Sequence, residues 1–131
     1  MVLMPDHHPL ASESDVHPEA LRDETFLVAG DPTERDLQID FLERSIGGTP
    51  STVLVVPVER STVIDLVSLG FGLALTPGSA LGAFHPGVSY RPIAAPVEPI
   101  AFHAIWRRSN RNPELVRFLD TARVLAAGWR A

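Results

Sequence analysis

Apolar residues fall into short runs along the chain, and the polar stretches between them carry turn and cap signals. Val2–Met4 is a brief run closed by Pro5, and Thr25–Ala29 is β-branched, aromatic and apolar between polar flanks; both read as strands. Between them, Asp6–Ala11 leads out of the first strand, Ser12–Asp15 is a polar loop, and Pro18–Arg22 suits a single helical turn opened by proline. Leu37, Phe41, Leu42 and Ile46 then recur at helical spacing, with Asp36, Asp40, Glu43 and Arg44 between them. Gly30–Glu34 supplies the start of that helix: Asp31 can cap, Pro32 fits the first position, and Glu34 stands three residues after the cap. Gly47-Gly48 stops it.

Thr52–Pro57 is apolar almost without a break, the pattern of a parallel strand covered on both faces. The stretch from Ser61 reads as a short helix stopped by Gly70, feeding at once into a strand over Phe71–Thr76 that Pro77 ends. Gly70 suits the left-handed position past a helix end, and Gly72 allows a close backbone approach. Residues 78–83 form a turn or short helix, Val88–Pro92 a strand, and Ala94–Pro99 a connection broken by prolines. Ile100–Trp106 alternates in part and reads as another strand. Asn112-Pro113-Glu114 combines a cap, a first-position proline and a first-turn acid, and opens a last helix with Leu115, Phe118, Leu119, Ala122 and Leu125 on one face. From Thr25 to Thr76 the order is strand–helix–strand–helix–strand. That is the signature of an α/β sheet with right-handed crossovers.

Length and composition narrow the choice further. A chain of 131 residues is one domain, or one lobe of a larger two-lobed domain. Apolar content of 45% and charged content of 21% are those of a globular protein. The absence of cysteine excludes disulfides and thiolate chemistry and fits the cytoplasm. The first residues lack a secretory signal, and no stretch approaches the roughly 20 apolar residues of a membrane span. A formal charge of −5 argues against this chain holding the main phosphate-binding surface of a nucleic-acid binder.

In a parallel α/β sheet, ligands sit beyond the carboxyl ends of strands, near helix amino-termini whose unpaired N–H groups favour an anion. Two loops answer that rule. One is Ala29–Thr33, with Gly30, Asp31, Pro32 and Thr33; the other is Val58–Thr62, where Glu59 and Arg60 bring charge and Ser61 and Thr62 bring hydroxyls. Thr76, at the end of its strand, is a weaker third. The plainer alternative is that Asp31 and Ser61 only cap their helices. Other chemistries find less support. His7 and His8, adjacent in an extended segment, point opposite ways, and His17, His85 and His103 show no ligand spacing, so no metal site is expected. There is no Gly-x-Ser-x-Gly elbow, and Gly70-Phe-Gly72 lacks the third glycine and following helix of a dinucleotide loop. An enzyme is not expected, nor a cofactor. The basic cluster Arg107-Arg108-Ser-Asn-Arg111 reads first as a solvated loop before the last helix, with a phosphate contact as the alternative, and Trp106 and Trp129 read as core or tail residues.

Several fragments, in this order, resemble the effector-binding domain of LysR-type transcriptional regulators. They are His8–Ala11, Leu21–Phe26, Leu66–Pro77, Gly87–Pro92, and Ala104–Arg108 together with Pro113–Arg123. The resemblance implies the α/β fold of two-lobed, type 2 periplasmic binding proteins, with a mixed, mainly parallel sheet flanked by helices and a small effector held in the cleft between lobes. It divides the chain into a crossing hinge strand (1–5), the second lobe (6–93), and a return hinge strand with a terminal helix of the first lobe (94–131). It also implies that the helix-turn-helix and most of the first lobe lie outside this chain, so no residue here reads DNA. The expected function is non-covalent sensing of a small molecule, a small organic acid among the candidates, coupled to rearrangement of a homo-oligomer. The alternatives are an oligomerisation module without ligand, or a solute-binding protein of the related periplasmic fold.

Overall fold

The computed structural model describes residues 1–30, 35–78, 85–94 and 103–128. The chain divides into two compact units, Met1–Glu98 and Pro99–Ala131. In the first, the elements run β1 (Val2–Pro5), two single-turn 3₁₀ helices (Pro9–Ser12 and Pro18–Leu21), β2 (Thr25–Ala29), α1 (Arg35–Ile46), β3 (Thr52–Val56), α2 (Arg60–Ser68), β4 (Ala74–Leu75) and β5 (Val88–Arg91). The second holds α3 (Pro113–Gly128).

β2 and β3 pair in parallel, with Thr25 opposite Thr52 and Ala29 opposite Val56. β1 lies between β4 and β5 and is antiparallel to both. A parallel bridge at Phe26 and Leu73 joins the two groups: Leu27 N–H donates to Leu73 O (2.7 Å), and Leu73 N–H to Thr25 O (2.8 Å). The spatial order is therefore β3-β2-β4-β1-β5, with β1 alone reversed. The sheet of this α/β fold is mixed: β3, β2 and β4 run parallel to one another, and β1 is antiparallel to both of its neighbours.

Alternation along the strands loads both faces. Val2, Met4, Phe26, Val28 and Leu73 pack with Leu42 and Ile46 of α1, and with Ala11, Val16 and Leu21 around the 3₁₀ helices. Leu3, Leu27, Ala74 and Val88 pack with Val63 and Val67 of α2 on the other face. Each large apolar side chain so buried contributes about 1.5–3 kcal/mol.

Helix ends follow local chemistry. After α2, Gly70 N–H donates to Val67 O (2.9 Å) and Phe71 N–H to Leu66 O (3.1 Å), a paired closure that needs the positive φ of Gly70 (83°). Gly72 is required for a steric reason. A Cβ there would stand 2.7 Å from the Thr25 carbonyl oxygen. At α3, Asn112 Oδ1 accepts from Glu114 N–H (2.9 Å), and Pro113 is the first helical residue.

Three expectations change. β3 is not covered on both faces: Thr52 and Leu54 are exposed, and β3 pairs only with β2 among the described residues, as an edge strand. The strand over Phe71–Thr76 shortens to Ala74–Leu75, because its first residues close the α2 terminus. The strand over Ile100–Trp106 is absent from His103–Trp106, where every residue is exposed and no described strand pairs with it; residues 100–102 lie outside the described residues.

Candidate functional site

Because β2, β3 and β4 run parallel, their carboxyl ends share one edge of the sheet. β2 leaves that edge at Gly30, which is half-buried with φ 138° and donates its N–H to Val56 O (3.3 Å). That bond places the start of the first candidate loop beside the start of the second. β3 ends at Val56, and Val58 N–H turns back to Val56 O (2.8 Å), aiming the chain into α2. β4 ends before Thr76, whose N–H donates to Met1 O (3.0 Å) and whose carbonyl accepts from the Met1 nitrogen (2.9 Å). Burial lowers the pKa of the Met1 amino group.

α2 opens with Glu59 as the N-cap residue in extended conformation, making no side-chain capping bond. Val63 N–H is the first to reach back, donating to Glu59 O (3.2 Å). The N–H groups of Arg60, Ser61 and Thr62 thus belong to the first turn, which has no intrahelical acceptor. All three side chains, and that of Glu59, are exposed. Ser61 is not the cap: it lies one residue inside the helix, so its hydroxyl is available at the surface. The structure brings Gly30, the 59–62 turn and Thr76 to one edge. Asp31, Pro32 and Thr33 lie outside the described residues.

Two histidines take structural roles. His8 precedes the first 3₁₀ helix; its Nδ1 accepts from Leu10 N–H (3.2 Å), which leaves Nε2 to carry the proton toward Glu24 Oε1 (3.3 Å). His85 Nε2 lies 3.1 Å from Asp65 Oδ1, tying the segment before β5 to α2. Among the described residues no three His, Asp or Glu side chains group closely enough to hold a metal ion. Sequence reading missed Arg91, which stands opposite Val2 and donates to the Tyr90 carbonyl (2.8 Å) and to the Ala11 carbonyl. Its Nε is buried with no partner among the described residues. No motif marks such a clamp, since both acceptors are backbone.

The sequence matches the LysR substrate binding domain over residues 1–126. It is 35% identical over 122 residues to the HTH-type transcriptional regulator XapR of Escherichia coli K12, an alignment covering 91% of this chain and 40% of the regulator. The fold is similar to that of the BenM effector binding domain with its effector benzoate (TM-score 0.70, 23% identity, 97% of this chain and 59% of that one). It is also similar to the effector binding domain of QuiR in complex with shikimate (TM-score 0.60, 22% identity, 92% and 57%). The chain therefore spans less than half of the full regulator and just over half of each solved domain. No helix among the described residues is long and apolar enough to cross a membrane. With an α/β, type 2 periplasmic-binding-protein-like fold and a family match over nearly its whole length, the chain belongs to the LysR substrate-binding domain family.

Proposed function

We propose that this chain is the second lobe of a LysR-type effector-binding domain, senses a small molecule without covalent chemistry, and works in the cytoplasm as part of transcriptional regulation. One observation carries the reading: three parallel strand ends and the open first turn of α2 converge at one edge, in a chain of this family. The cleft wall is assigned to Gly30, Asp31, Pro32, Thr33, Glu59, Arg60, Ser61, Thr62 and Thr76. Arg60 and the first-turn N–H groups suit a carboxylate, and two structural neighbours hold organic acids, benzoate and shikimate. Glu59 beside Arg60 favours a ligand that brings hydroxyl donors alongside its acid group. Binding shifts a population between lobe arrangements and so between arrangements of regulator dimers. Reading of DNA is assigned to a helix-turn-helix outside this chain. The domain is not an enzyme.

The test is calorimetric titration of a panel of small organic acids into the regulator containing this domain. One charge-assisted hydrogen bond is worth about 1.5–3 kcal/mol, so Arg60→Ala should weaken binding by roughly 10- to 100-fold with the melting temperature unchanged. Thr62→Ala should weaken it less. Unchanged affinity in both variants removes this turn from the site.

The exposed edge of β3 favours a second reading, in which a further copy of the chain pairs there. Light scattering across a concentration series tests it: the expected outcome is a dimer or larger species, and a monomer at high concentration rejects it.

A further inference from the structure

We propose that the turn at Arg107–Arg111 is an accessory contact for the phosphate backbone of double-stranded DNA. Charge is divided unevenly along the chain. Residues 1–98 hold five arginines against fourteen acids, while residues 99–131 hold six arginines against two. Both of those acids are already engaged on α3: Glu114 pairs with Arg117 (3.0 Å) and Asp120 with Arg123 (3.1 Å). Arg107, Arg108 and Arg111 are exposed and have no carboxylate partner among the described residues. They project from a hydrogen-bonded turn. Asn110 N–H donates to Arg107 O (2.9 Å), and Asn110 Oδ1 accepts from Asn112 N–H (3.0 Å), just before the Asn112 cap. Every cationic side chain here is arginine, whose planar fork matches two phosphate oxygens at once. Trp106, 47% exposed beside the turn, adds a flat donor-bearing surface for the sugar edge. The net negative charge of the whole chain hides this local excess.

The test is fluorescence anisotropy of a short labelled duplex of arbitrary sequence, titrated with the 131-residue chain between about 50 and 200 mM salt. Sequence-independent binding is expected at roughly 10⁻⁴–10⁻⁶ M, with log K falling against log salt by about 0.9 for each phosphate neutralised, near −2.7 for three. Arg107→Gln, Arg108→Gln and Arg111→Gln should each remove about one unit of slope. The lysine variants should keep the slope, and the double variant Arg117→Gln, Arg123→Gln should change it less. Single variants, checked by circular dichroism, guard against loss of α3. No binding by the wild type at the lowest salt overturns the proposal. So does an unchanged slope in all three variants, or equal binding of polyglutamate, which would make the turn a general polyanion surface. None of these outcomes touches the effector site.

Discussion

Two glycines separate what backbone conformation costs from what space costs. Gly47, just past α1, has φ 65° and open space within 4 Å of where a methyl group would stand, whereas a Cβ on Gly72 would lie 2.7 Å from Thr25 O. Gly47→Ala should therefore cost about 1 kcal/mol, the left-handed penalty alone. Gly72→Ala should cost more, roughly 1–3 kcal/mol of strain plus the disruption of the β2–Leu73 bridge, seen as a larger fall in melting temperature. Equal losses in the two variants would mean that the close approach is relaxed at little cost. Gly70 and Asn112 were legible at this scale because each acts on its nearest neighbours in the chain, whereas Gly72 was legible only as a residue that permits a close approach, its partner Thr25 being distant in sequence. The cap of α2 was not: Ser61 is the better capping residue by type, yet the cap position falls two residues earlier, at Glu59. The register there is set by Val63 and Val67 reaching the sheet, which no cap preference reveals.

Among the elements, β3 shows where a hydrophobic run misleads. Thr52–Val56 is as apolar as a central strand, but a run of five residues does not say how many neighbours it has. Leu54 is 44% exposed on this strand, which pairs only with β2 among the described residues. Leu54→Lys should leave the stability within about 0.5 kcal/mol of wild type, as for other surface changes, and should reduce concentration-dependent association measured by light scattering. Phe26→Ala in the neighbouring β2 is the contrast: Phe26 is fully buried, and its loss should cost about 3–5 kcal/mol, measured by denaturant unfolding. The candidate site was legible as a place before it was legible as a set of contacts. Strand–helix order puts two loops at one edge, but the bond from Gly30 to Val56 that joins them depends on parallel register, which has no local signature.

At the scale of the whole molecule, both hydrophobic clusters, among the described residues, draw their members from residues 2–93. A chain ending at Glu98 should keep a cooperative melting transition and the circular dichroism of the sheet. A non-cooperative melt would show that the second unit is needed for folding. The order of the sheet was the least legible feature, because β1 pairs with β4 and β5 across more than half of the sequence. That arrangement also dictates a sequence of events in time. Val2–Pro5 leaves the ribosome well before either neighbour, and its two partners are complete only when residue 91 has been made. Until β4 has been made at residue 75, Val2–Met4 is a sticky strand with nowhere to dock, and until residue 91 one of its edges stays open. Because β1 pairs only with strands distant in sequence, whose loops are costly to close, Val2→Ala should speed unfolding and leave the refolding rate of the complete chain nearly unchanged, a φ-value close to zero in stopped-flow kinetics. The nascent protein must carry this interior strand without its full pairing while the rest of the sheet is made, and this is the interval in which a chaperone has most to gain by holding that strand.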